Sequence, residues 1–260
     1  MASNAHAARR IPALVVAVAA GFCGTPHLAH AQVPKVETVT AIASPVCALY
    51  RGGSVDLLAK LTELVGGLPV GGQVLDFTVG GSAAGSASTD ASGFASQPFA
   101  IDGLMAGDYA LKAEFLGDAA FNGSSDTGLL GISYTLVGFL PPLNGRGSPT
   151  AINHGRVLPV KIQLVDADLD PVTTASPKVW IHKWTPGNGL GERLAAPTSA
   201  SAANIGNAMR YSSMDQHYIF NWDTRNLPLG SYAVVVEPGD SAACSDGPYY
   251  ATVTVGKKGK

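Results

Sequence analysis

Gly107-Asp108-Tyr109-Ala110-Leu111-Lys112-Ala113-Glu114-Phe115 is the stretch on which the reading of this chain turns. Successive side chains of a β-strand point to opposite faces, so Tyr109, Leu111, Ala113 and Phe115 share one face while Lys112 and Glu114 share the other. An apolar face alternating with a charged one marks a half-buried strand of an antiparallel sheet. Residues 55–61 follow the same rule, with Val55, Leu57, Ala59 and Leu61 inward and Asp56 and Lys60 outward. In residues 74–79, Leu75, Phe77 and Val79 point in and Asp76 and Thr78 out. Between these runs lie Gly-Gly-Leu-Pro-Val-Gly-Gly (66–72), Asp-Ala-Ser-Gly (90–93) and Gly-Ser-Ser (123–125), which supply turn chemistry rather than helix caps. No stretch carries an apolar stripe of helical period.

A second round of strands follows Pro141-Pro142 and residues 144–149, read here as a proline-rich hinge. Leu158, Val160, Ile162 and Leu164 alternate with Pro159, Lys161 and Gln163, and further strands fall at 218–222, 232–236 and 251–255. Both rounds contain a strand, a turn ending in Pro-Val (Pro69-Val70, Pro171-Val172) and a late Gly-x-Tyr (Gly107-Asp108-Tyr109, Gly230-Ser231-Tyr232). The distance from Pro-Val to Tyr is 40 residues in the first round and 61 in the second. The extra length is assigned to an extended loop between Trp184 and Ala208, where Gly, Ala, Ser and Asn dominate. Roughly seven short strands per 100 residues is an immunoglobulin-like count. The expected fold class is therefore all-β, two tandem immunoglobulin-like β-sandwiches after a cleaved signal peptide. The Gly-x-Tyr resembles the corner tyrosine of such sandwiches, so Tyr109 and Tyr232 are expected to be largely buried, each bonded to backbone in the preceding turn.

Residues 36–133 resemble the bacterial immunoglobulin-like repeats of surface and adhesion proteins, through LYRGGSVDLLAKL, GLPVGGQVLDFTVGG, STDASGFAS, LMAGDYALKAEFLGDAAFNGSSD and GLLGIS. Residues 134–256 are similar to the PxKF domain of bacterial secreted proteins, through Val157-Leu158-Pro159-Val160-Lys161-Ile162, YSSMDQHYIFNWDT and LPLGSYAVVVEPGD, with Ile162 in place of the usual Phe. The resemblance implies an extracellular modular protein and carries over no catalytic constellation. The domain reading is 1–31 signal peptide, 32–133 immunoglobulin-like, 134–256 PxKF-like and 257–260 a basic tail.

The N-terminus reads as an export signal: Arg9-Arg10, an apolar run over residues 11–22, then Ala29-His30-Ala31 as a small-x-small cleavage site after Ala31. The run is far short of the roughly 20 residues that span a bilayer, so no membrane insertion is expected of the mature chain. Removing residues 1–31 takes away two arginines and no acid, leaving 15 basic against 19 acidic residues, a net charge of −4. That balance gives nucleic acid no electrostatic footprint. The expected location is extracellular, cell-surface or periplasmic, and the expected partner a protein or polysaccharide at the cell surface.

For chemistry the sequence offers little, and no catalytic residue is assigned. His154, His182 and His217 stand in no metal-ligand spacing and are expected on exposed loops or strand faces. Asp166, Asp168 and Asp170 alternate as calcium ligands would, but Pro171 and Pro177 stand where an EF-hand needs Gly and Glu; a solvated turn with Asp side chains bonded to local backbone is the other reading. Among the aromatics, Trp180, Tyr218, Phe220 and Trp222 are core candidates at period two, and Trp184 is the one expected at a surface, where it would stack on a sugar ring. Cys47 and Cys244 are an even pair in an exported chain. Either they bridge the facing ends of the two sandwiches, or both remain free thiols. The functional expectation is a non-catalytic module for adhesion, spacing or partner binding, with a carbohydrate-binding accessory protein as the alternative.

Overall fold

The computed structural model describes residues 33–145, 148–245 and 247–257. The expected signal peptide, Asp246 and the tail from residue 258 onward lie outside the described residues. From Lys35 onward the chain packs as one compact unit.

The first sandwich is built from β1 (Thr38–Ile42), β2 (Val46–Leu49), β3 (Ser54–Glu63), β4 (Val74–Val79), β5 (Ser82–Ser88), β6 (Phe94–Ala100), β7 (Gly107–Gly117) and β8 (Asn122–Ser133). The second uses β9 (Thr135–Phe139), β10 (Thr150–Asn153), β11 (Val157–Val165), β12 (Lys178–Thr185), β13 (Gly189–Arg193), β14 (Arg210–Ser212), β15 (His217–Asp223), β16 (Gly230–Glu237) and β17 (Tyr249–Gly256). Among the described residues there is no helix.

Each sandwich pairs a smaller sheet with a five-stranded one: β1-β3-β6 with β2-β8-β7-β4-β5, then β14-β15-β11-β9 with β10-β17-β16-β12-β13. The same strand-switching device opens both. β1 runs antiparallel to β3 and then β2 crosses to lie parallel to β8; likewise β9 pairs β11 and β10 lies parallel to β17. Splitting the first strand covers an edge of each sheet, which would otherwise expose unpaired backbone groups.

The alternation read from the sequence decides the packing. Leu57, Ala59, Leu61, Leu75, Phe77, Val79, Leu111, Ala113 and Phe115 are buried in the first core. Leu158, Val160, Ile162, Leu164, Tyr218, Phe220 and Trp222 are buried in the second. Trp222 and Tyr232 meet edge to face, with ring centroids 6.5 Å apart, the arrangement that aromatic quadrupoles favour.

Two expectations are corrected. The segment after Pro141 does not join the sandwiches, because β9 before it and β10 after it both belong to the second one. The junction is Tyr134 alone, buried between β8 and β9 and set edge to face against Tyr50 at 5.3 Å. Nor is the stretch after Trp184 simply an extended loop. It forms β13 beside β12, and then returns along the free edge of β15, where Ser199 bridges Trp222 and Ala200 N–H donates to Asn221 O. Asn204 pins this return by donating from its side-chain amide to Ala208 O and Ile219 O.

Candidate functional site

The corner tyrosines occupy equivalent positions. Tyr232 is fully buried and its hydroxyl donates to Pro228 O at 2.7 Å; the Tyr109 hydroxyl donates to Met105 O at 2.8 Å. Both reach four residues back across a turn that closes on a glycine of positive φ, Gly107 (146°) and Gly230 (152°), a conformation L side chains rarely adopt. Tyr109 departs from expectation in being only half-buried.

The end of the second sandwich that faces the first is organised by the β11–β12 and β16–β17 loops. Asp166 is buried, and its Oδ1 accepts the N–H groups of Asp168 and Asp170 at 3.1 and 3.0 Å. Its Oδ2 lies 3.6 Å from Arg51 of the first sandwich, and Ala167 N–H donates to Tyr50 O at 3.0 Å. The carboxylate is thus committed to the turn and the contact between sandwiches, while Asp168 and Asp170 stand exposed. Among the described residues no group of three or more His, Cys, Asp or Glu is gathered for a metal.

The β16–β17 loop lies directly on β8. Ser241 N–H donates to Ile132 O at 3.2 Å, and Tyr134 N–H donates to Asp240 Oδ2 at 2.7 Å. Burial raises the Asp240 carboxyl above its ordinary pKa, with the Asp108 charge adding to the effect. Cys244 meets Cys47 in a disulfide with Cα atoms 5.6 Å apart. Cys47 lies within β2. Gly131 makes this approach possible, because a Cβ there would collide with Cys244 Sγ and Ser241 Oγ.

The outer face of the second five-stranded sheet carries the most ligand-like chemistry. Trp180, His182 and Trp184 project from β12 on the face opposite the buried Val179 and Ile181. Trp180 is therefore not a core residue, contrary to expectation. It is half-buried beneath Arg193, whose guanidinium sits 3.3 Å from the ring centroid. Trp184, also half-buried, packs against Tyr250 of β17 with centroids 5.3 Å apart. Beside them opens a groove of about 550 Å³, lined among others by His182, Leu190, Arg193, Glu237, Asp240 and Tyr249. Arg193 and Glu237 face one another at 3.9 Å, and Trp180 Nε1 is buried with no hydrogen-bond partner. Of the other histidines, His154 is exposed, whereas His217 is buried at the start of β15, its Nδ1 3.1 Å from Asp215 O.

No protein-family model matches the chain, and no curated protein matches it in sequence. Solved structures with similar architecture include titin domains Z1Z2 in complex with telethonin (13% identity, 85% of this chain and 97% of that one, TM-score 0.26). Others are a 1.5-MDa bacterial ice-binding adhesin (11% identity, 86% and 64%, TM-score 0.29) and a Ca²⁺-stabilized adhesin with which an Antarctic bacterium binds ice (16% identity, 86% and 48%, TM-score 0.28). The strand order of the two sheets in each half makes the chain a tandem of immunoglobulin-like sandwiches.

Proposed function

We propose that the chain is a non-catalytic exported or cell-surface module, of the bacterial immunoglobulin-like and PxKF-like kind, that serves adhesion, spacing or partner presentation. The observation that carries this is the junction: one buried residue, Tyr134, flanked by the docked β16–β17 loop, sets the second sandwich against the first without a flexible linker. Interfaces between domains more commonly leave relative motion free. A fixed junction suits a part that holds a surface at a set distance and orientation, and the surface it presents is the outer face of β12, β13, β16 and β17.

A second reading has its own observation. Trp184 and Tyr250 form an aromatic ledge beside a groove edged by Arg193, Glu237 and His182. Aromatic rings meet the apolar face of a pyranose while such polar side chains take its hydroxyls, so this face suits a polysaccharide. The two readings part on one experiment, in which the mature protein and its Trp184→Ala variant are applied to a glycan array and to whole cells. Glycan binding lost in the variant supports the carbohydrate reading. Cell binding without any glycan signal supports adhesion to protein, and no binding to either surface defeats both.

A further inference from the structure

The disulfide joins positions separated by 197 residues, from the second strand of the first sandwich to the last loop of the second. Residues 48–243, which include β3 through β16, lie inside that covalent loop. The chain enters the loop at Cys47 and leaves it at Cys244, and those two Cα atoms are 5.6 Å apart. Once β1 and β17 have yielded, a pull applied through the residues before Cys47 and after Cys244 therefore crosses from one sandwich to the other through the sulfur–sulfur bond and not through β3 to β16.

We propose that the chain is a tension-bearing link in which this bridge shields both sandwiches from load. The inference builds on the reading of the protein as an adhesive or spacing module, since only such a module is pulled. Its physical basis is connectivity alone. Hydrogen-bonded strands separate one after another under load, whereas a covalent bond holds, so the extent of unravelling is set by what lies outside the loop. That is β1 and the start of β2 at one end and β17 at the other. β1 is held by its ladder to β3, and β17 is held on both sides, antiparallel to β16 and parallel to β10. Residues 35–46 and 245–257 together are about 25 residues. At roughly 3.3–3.6 Å per residue they extend to roughly 80–90 Å. The 197-residue separation hides about 650–700 Å more at the same rise.

The docked loop serves the same end. Ser241 and Asp240 hold the β16–β17 loop to Ile132 and Tyr134, so the sulfur atoms face each other as part of the folded junction. Because Cys47 lies within β2, the strand after β1, and Cys244 in the loop before β17, the bridge leaves only β1, the start of β2 and β17 outside it.

The test is single-molecule force extension of the mature chain held by handles at both ends, first as exported and then in excess dithiothreitol, which takes up the bond as its own cyclic disulfide. The expected result is a contour gain no greater than about 90 Å as exported, rising by about 650–700 Å on reduction. The Cys47→Ser/Cys244→Ser double variant, shown to fold by its circular dichroism, should unravel fully without reductant. Full unravelling of the unreduced protein, or two titratable thiols in it, overturns the proposal. Binding on the glycan array or to cells is scored separately. Binding by a protein that unravels fully sinks the shield but not the adhesive reading, and a shielded protein that binds nothing does the reverse.

Discussion

Replacing Gly131 with alanine tests the junction at its tightest point. Gly131 lies within β8 and its φ is not positive, so alanine suits its backbone and any cost must come from contact. The new Cβ would stand 2.9 Å from Ser241 Cβ and nearer still to Ser241 Oγ and Cys244 Sγ, closer than Cβ atoms tolerate. Neither neighbour is the tip of a long flexible side chain, so the β16–β17 loop itself must retreat. Overpacking of this kind costs about 1–3 kcal/mol. For a chain of this size each kcal/mol lowers Tm by roughly 2–4 °C, so a fall of about 6 °C is expected. Retreat would also lengthen the Ser241–Ile132 and Asp240–Tyr134 hydrogen bonds and slow closure of the disulfide during oxidative refolding. The assay is thermal denaturation by circular dichroism together with thiol titration during refolding. Gly103→Ala is the control, because nothing lies within 4 Å of a Cβ there. A Gly131→Ala protein with unchanged Tm and unchanged rate of thiol loss would refute the docked loop.

Tyr232→Phe should cost about 1 kcal/mol through the lost bond to Pro228 O, and Tyr109→Phe less, because its half-exposed site lets water replace the lost partner; urea denaturation of the two variants measures both. Burial raises the Tyr218 pKa from 10.0 to about 12. The unfolded chain then loses its tyrosine proton first, so stability should decline from pH 10 towards pH 12, and Tyr218→Phe should remove that part of the decline. Asp240 also has a raised folded pKa, so the cost of burying its charge is present above that value and is relieved as pH falls towards the ordinary aspartate range. Asp240→Asn, which keeps an acceptor for Tyr134 N–H, should therefore raise Tm at neutral pH and lose that advantage in acid. Reducing the Cys47–Cys244 bridge should lower unfolding free energy by about 5 kcal/mol in the loop-entropy account, read from denaturation with and without reductant.

The strands were legible wherever one face is polar. In residues 55–61, 74–79 and 107–115 the charged positions fix the phase, and the buried set follows apart from Val55 and Tyr109, which are half-buried. Where both faces are covered, that signal fails. In β16, residues 232 to 236 are all buried, so both of its faces are covered, and on the outer one Trp180 of the neighbouring β12 stands beside Val235. Reading Trp180 as core followed side-chain size, whereas Val179 and Ile181 fill the inner positions. The junction was misplaced for a related reason. Proline marks where a chain leaves one sheet, and here it marks the crossing from β9 to β10, which the sequence does not distinguish from a boundary between domains. The buried place of His217 depends on tertiary packing at the start of β15 and left no local mark in the sequence. The site on the outer face was only partly legible: Trp184 stood out, but its partner Tyr250 comes from β17, far along the chain, and Arg193 of β13 covers Trp180 instead.

The claim on which the rest depends is that the two sandwiches move as one body. Backbone ¹⁵N relaxation of the oxidised mature chain tests it most directly. The account predicts one rotational diffusion tensor shared by residues of β1–β8 and β9–β17, giving way to two when the Cys47–Cys244 bridge is reduced and Gly131 is replaced by alanine. Separate tumbling of the two sandwiches in the oxidised wild-type protein would contradict it.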